Sequence, residues 1–173
     1  MIKDKKTSEG LVLYVKQQLG KPYWYGCFGQ ISSEKLYLQK KKQYPNEYEW
    51  ECKNNQTDVS PAIQLGVRVF DCSGLIKGFL WTDEHGTIEY NRSQDLSASR
   101  FYEMSPCKGE ISTMPDIKGL LVFAKNHLGV YIGDGLVIDA RSHAIGTVQT
   151  QLKSRPWTHW GYCPFIEYLN DGE

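Results

Sequence analysis

Between His127 and Arg141 the chain alternates so regularly that few backbone arrangements suit it. Leu128, Val130, Ile132, Leu136, Ile138 and Ala140 are apolar, and His127, Gly129, Tyr131, Val137, Asp139 and Arg141 fill the positions between. Side chains of a strand point to alternate faces, so this period of two marks a pair of strands. Gly133-Asp134-Gly135 between them reads as a hairpin loop. A three-residue loop with Gly135 in the left-handed conformation keeps all the even-numbered residues on one buried face. A two-residue Asp134-Gly135 turn would slip the register and mix the apolar set. The longer loop is therefore expected. The register that buries the hydrophobes also sets His127 and Asp139 side by side on the other face.

Two further strands, Leu120 to Ala124 and Thr147 to Leu152, extend the hairpin into an antiparallel meander. Upstream the pattern is helical. Thr7 or Ser8 can cap a helix with Leu11, Val12, Val15 and Leu19 on its apolar face, ended by Gly20 and Pro22. A short helix is expected over Ser33 to Gln43, stopped by Pro45, and another over Gln94 to Phe101, capped by Ser93. Helices first and a sheet afterwards is an α+β order, with N-terminal helices packed on a C-terminal antiparallel sheet. A single domain spans residues 1–173, and the segment at about 27–70 reads as an insertion folded onto one edge. Beyond Pro45 that segment looks polar and turn-rich, through Asn54-Asn55 and Ser60-Pro61. Its Lys40-Lys41-Lys42 run reads as a solvated helix face, with a phosphate or teichoic-acid contact as the alternative.

Charge excludes some partners. Lysine plus arginine equals aspartate plus glutamate, 20 each, so no global field calls for nucleic acid or an anionic membrane. No apolar run reaches membrane-spanning length, and the polar start lacks the core of a secretory signal. Synthesis in the cytoplasm is expected, with another route to the site of action. The five cysteines (Cys27, Cys52, Cys72, Cys107 and Cys163) are odd in number and widely spaced, which supports neither a disulfide framework nor a zinc site. His159 and Cys163 lack further ligands for a metal. No cofactor is expected, and a monomer is.

Cys72 stands where a polar loop becomes an apolar helix bearing Leu75, Ile76, Phe79 and Leu80, with Asp71 and Ser73 in cap positions. The positive end of that helix favours thiolate, so the sulfur is expected to be nucleophilic near neutral pH. As a lone cysteine it reads first as a small buried hydrophobe, and the histidine strand downstream reverses that reading. With His127 and Asp139 downstream, the order is nucleophile, base and orienting acid. Asp139 has an alternative partner in Arg141, and His143 reads first as a loop histidine, with a third polar candidate or a substrate contact as the alternatives.

Asp71-Cys72-Ser73-Gly74-Leu75, His127-x-Gly129-x-Tyr131-Ile132-Gly133 and Pro22-Tyr23-x-Tyr25-Gly26 together resemble the NlpC/p60 cysteine peptidases of bacterial cell-wall turnover. The resemblance covers residues 11–26 and 69–152 and implies a papain-like α+β fold that hydrolyses peptidoglycan stem peptides, commonly between D-γ-glutamate and diaminopimelate or lysine. It puts Cys72 at the nucleophile, His127 at the base and Tyr23 at the oxyanion site. Asp71 and Ser73 match residues that hold a free L-alanine amine, and Tyr25, Arg141 and His143 fall beside the groove as substrate contacts. Two departures stand out. Asp139 occupies a position that is often histidine, and the connection from Cys27 to Phe70 is much longer than usual. The expected activity is that of a lysin or wall-remodelling endopeptidase, bacterial or phage-borne. Two other readings stay open: an acyltransferase of the same superfamily, and a non-catalytic wall-binding or effector domain.

Overall fold

The computed structural model describes residues 6–55 and 57–168, the side chains of Cys52 and Asn55 excepted. In chain order the elements are α1 (Ser8–Gln17), β1 (Phe28–Ile31), α2 (Glu34–Gln43), α3 (Pro45–Asn55), α4 (Ser60–Leu65), β2 (Arg68–Phe70), α5 (Cys72–Trp81), α6 (Ala98–Met104), β3 (Lys108–Glu110), β4 (Leu121–Ala124), β5 (His127–Gly133), β6 (Leu136–Ala140), β7 (Thr147–Gln151) and β8 (His159–Gly161). Strands β3 to β8 form one antiparallel sheet in the order β3-β8-β4-β5-β6-β7. Helices α1, α5 and α6 cover one face of it, giving the α+β architecture expected from the sequence. No helix among the described residues is long and apolar enough to cross a membrane.

The main core lies under the even-numbered face of the β5–β6 hairpin. Leu128, Val130, Ile132, Ile138 and Ala140 pack there against Leu11 and Val15 of α1 and Leu75, Ile76, Phe79 and Leu80 of α5. The turn itself differs from expectation. Asp134 and Gly135 form a two-residue turn with φ of 53° and 69°, and Gly133 pairs directly with Leu136. Positive φ at both central residues is the conformation whose twist suits a tight hairpin. The slip this turn would cause is absorbed by an irregularity between Tyr131 and Gly133, so Val130 still faces Ile138 and Tyr131 still faces Val137. Burial of six apolar side chains decides the register, and the bulge accommodates the turn.

The odd-numbered face is not open to solvent. Tyr131 and Val137 sit in a second cluster with Leu120, Val122, Trp157 and Trp160, brought over by the C-terminal segment. Strands β3 and β8 were not legible in the sequence, because three-residue strands carry too few alternations to stand out. Other ends also moved. Leu19 lies past the end of α1 and is exposed. The cap before α6 is Ser97, whose hydroxyl accepts from Arg100 N–H, while Ser93 bonds Asn91.

The segment 27–70 is more helical than its composition suggests. Pro45 opens α3 instead of merely stopping α2, since a first-turn proline sacrifices no helical hydrogen bond. Tyr48 is the large buried side chain of α3, so the helix shows no amphipathic stripe by which to be recognised. Leu36 and Tyr37 of α2 and Ile63 of α4 close over Trp24, Cys27, Ala62 and Val69, a small core of its own. Strands β1 and β2 pair antiparallel and lead directly into Cys72.

Candidate active site

Asp71 fixes the start of α5. Its Oδ1 accepts from Gly74 N–H at 2.6 Å and from the Ser73 hydroxyl at 3.2 Å, and its Oδ2 accepts from Gly26 N–H at 2.9 Å. One carboxylate thus caps the helix and ties the aromatic loop to it. Asp71 N–H in turn donates to the Cys27 carbonyl at 2.8 Å. Gly74 permits this closeness: a Cβ there would lie 1.9 Å from the Cys27 carbonyl oxygen. The same loop runs beside β2, with Trp24 N–H on the Phe70 carbonyl and Phe70 N–H on the Pro22 carbonyl. Tyr23 and Cys72 are neighbours for that reason.

Cys72 is half-buried. Burial pushes its thiol up to about 12, with the Asp71 charge adding to the rise, while N–H groups of Leu128 and Ser73 and the charge of Lys77 act in the opposite sense. Burial thus works against the thiolate that the helix dipole favours. The dipole of one helix start stabilises an anion by at most about 2 kcal/mol, less than dehydration of a sulfur anion costs. The Leu128 contact has a geometric meaning: the sulfur lies against the backbone of the residue that follows His127.

His127 and Asp139 meet as the strand register requires. His127 Nε2 lies 2.8 Å from Asp139 Oδ2, and the imidazole stacks on the Trp157 ring with centroids 5.6 Å apart and planes 13° apart. Gly129 leaves room for this arrangement. A Cβ there would press on Val137 at 2.8 Å and on Asp139 and Trp157 at 3.1 Å. Asp139 is fully buried. Burial alone would raise its pKa, but hydrogen bonds from His127 and Arg141 and their charges more than offset it, so the carboxyl stays below its usual value.

Arg141 is not the groove contact expected from the sequence. Its Nε donates to Asp139 Oδ2 at 3.1 Å, and one terminal nitrogen reaches Asp139 Oδ1 at 2.8 Å and Thr150 Oγ1 at 3.0 Å. The expected rivalry between His127 and Arg141 for Asp139 resolves as a shared carboxylate. His143 lies in a turn after β6, the loop position expected of it. It is buried between Tyr23 and Tyr48, both ring centroids 5.3 Å away, and its Nε2 has no hydrogen-bond partner. It packs against the Tyr23 ring and helps hold it. Tyr48 was missed in the sequence because it belongs to the insertion. Its hydroxyl donates to the Tyr25 carbonyl at 2.9 Å, so α3 supports the aromatic loop from behind.

Burial lowers the His143 pKa to about 4. As pH falls from about 6.5 the unfolded chain takes a proton that the folded protein refuses, so stability is full above 6.5 and declines towards pH 4. The expected loss across that window is on the order of 3 kcal/mol. Denaturant unfolding at a series of pH values checks this, and His143→Phe should flatten the slope.

A papain-like α+β domain with an ordered His–Asp pair beside a helix-start cysteine defines the class. The chain belongs to the NlpC/P60 family, whose profile matches residues 45–163. Its fold is similar to that of the peptidoglycan hydrolase RipB from Mycobacterium tuberculosis, at 16% identity and a TM-score of 0.51 over 93% of this chain and 65% of that one. It is also similar to NlpC2 from Trichomonas vaginalis, at 16% identity and a TM-score of 0.51 over 91% of this chain and 46% of that one. A hypothetical invasion protein of M. tuberculosis gives 19% identity and a TM-score of 0.50 over 93% of this chain and 62% of that one. The chain thus spans about half to two-thirds of these three. No curated protein matches the sequence.

Proposed function

We propose that the protein is a cysteine endopeptidase that hydrolyses stem peptides of peptidoglycan at the cell wall, at the bond between D-γ-glutamate and the diamino acid. The observation that carries this reading is the His127 Nε2 to Asp139 Oδ2 contact of 2.8 Å, next to a cysteine whose sulfur abuts Leu128. With Nε2 committed to Asp139, Nδ1 is the nitrogen left to take the thiol proton. When substrate arrives, His127 acts as general base, and the Cys72 sulfur attacks the carbonyl carbon as the proton moves. The imidazolium, steadied by Asp139, then protonates the leaving amine. Water releases the acyl group from sulfur in the second half-reaction.

The oxyanion would be held by the Cys72 N–H and the Tyr23 hydroxyl. Burial, then the charges of Cys72 and Asp71, raises the Tyr23 pKa, so the hydroxyl keeps the proton that a donor needs. The family membership supports the substrate class. Mass spectrometry of defined muropeptides tests the bond. The expected products are an L-alanyl-D-glutamate fragment and a fragment with a newly freed diamino-acid amine. Intact peptides after prolonged incubation would count against the proposal.

A second reading is a wall-binding domain without catalysis, in which burial keeps Cys72 unreactive. Iodoacetamide separates the two. In a working enzyme His127 accepts the proton, and Cys72 is alkylated at neutral pH well ahead of the buried Cys27. A Cys72 as inert as Cys27 would favour the binding domain.

A further inference from the structure

Beside Cys72 a cleft of about 390 Å³ is lined by Asp71, Ser73 and Lys77 from α5 and its cap, and by Lys40, Gln43 and Tyr44 from the insertion. Its charges are matched, with one exception. Asp71 spends both oxygens on N–H groups and the Ser73 hydroxyl. Lys77 Nζ lies 2.8 Å from Asp95 Oδ1, and Asp95 Oδ2 accepts from the Tyr90 hydroxyl at 2.9 Å. Lys40 is different. It departs from the solvated face expected of the three-lysine run: Lys41 and Lys42 are exposed, whereas Lys40 is 7% exposed. Its ammonium reaches only the Gln43 side-chain oxygen, at 3.4 Å, and sits 5.7 Å and 5.8 Å from the centres of the Phe28 and Tyr44 rings. Among the described residues no carboxylate lies within ion-pair distance of it, although its charge acts on Asp95 across the cleft.

An ammonium has three donors. Buried and left with one long hydrogen bond, it is under-satisfied in a setting where charge-assisted bonds are strongest. The ligand chemistry that completes it is a carboxylate. The proposed scissile bond supplies one: a glutamate linked through its γ-carbon keeps its α-carboxylate free unless that group is amidated. This step rests on the hydrolase reading above. We propose that Lys40 is a specificity residue that binds the α-carboxylate of the γ-linked glutamate, so that the enzyme discriminates against stem peptides amidated there. The insertion, on this view, adds a wall to the cleft and charges it.

The test compares L-Ala-D-γ-Glu-diamino-acid peptides carrying a free acid or a carboxamide at the glutamate α-position. Wild type should favour the acid in kcat/KM by roughly tenfold or more, the scale of one hydrogen bond to a charged group. Lys40→Met, which keeps the aliphatic stem, should bring that ratio near one, and Lys40→Arg should preserve much of it. A wild type indifferent to the amide, or a Lys40→Met variant that loses equally on both peptides, overturns the proposal. Calorimetric binding of both peptides to Cys72→Ala needs no Lys40 variant: a stronger Kd for the acid supports the role, and equal Kd values refute it. Failure of wild type to cleave either peptide would instead strike the hydrolase reading, and the binding comparison would still decide the role of Lys40.

Discussion

Cys72→Ala is expected to end release of stem-peptide fragments from purified cell walls, a loss of about 10⁴-fold or more, because no other described thiol is placed to replace it. Cys27 is fully buried with its own thiol pushed up to about 12, and Cys163 is likewise buried. The substitution leaves the architecture intact. Asp71 still caps α5, Gly74 still meets the Cys27 carbonyl, and the core beneath Leu75 and Ile76 is untouched. The thermal midpoint should therefore stay within a few degrees of wild type, since removing one half-buried atom costs about 1 kcal/mol. Cys72→Ser should be almost as inactive, because a hydroxyl is a far poorer nucleophile beside the same base. Retained turnover in a folded Cys72→Ala protein would remove the nucleophile from the mechanism altogether.

Asp139→Ala should hit activity and stability together. The carboxylate is fully buried and holds an imidazole and a guanidinium at once, His127 at 2.8 Å and Arg141 at 2.8 Å and 3.1 Å. Its removal leaves the Arg141 guanidinium, only 14% exposed at the side chain, without its counter-charge. Orphaning a buried ion in this way costs about 3–5 kcal/mol. The imidazole also loses the contact that sets its tautomer, for which a rate loss of about 10⁴-fold is the scale. Asp139→Asn separates the effects: it keeps the shape and some hydrogen bonding, so stability recovers in part while turnover stays low. The sign with pH follows from the lowered carboxyl pKa. The carboxylate's contribution is present above the ordinary carboxylate pKa of about 4 and is lost as pH falls through the lower folded value, below the window assigned to His143. Kinetics and unfolding of the two variants side by side check this, and a stable, fully active Asp139→Ala would leave the pair without a role.

The hairpin was legible because its signal is local and redundant. Six apolar residues at even positions outvote any turn preference, so the placement of His127 beside Asp139 survived even though the loop itself is a two-residue turn with a compensating bulge. The Cys72 helix was legible for a similar reason, since a cap residue and an apolar face announce a helix start. Helix α3 was not, because it contributes one large buried side chain and its partner rings, Tyr37 and His143, are distant in sequence.

Local pattern therefore settled the α+β order, the register and the residue types at the candidate site, since each depends on neighbours a few positions away. Tertiary packing alone decided how those groups are charged and what they face. Burial, which is a property of the assembled chain, pushes the Cys72 thiol up against the helix dipole and packs His143 between Tyr23 and Tyr48. It also detached Lys40 from a run of surface lysines and set its ammonium in the cleft beside Asp71. Desolvation sums contributions from every element that closes over a group, and a linear sequence does not display which elements those are.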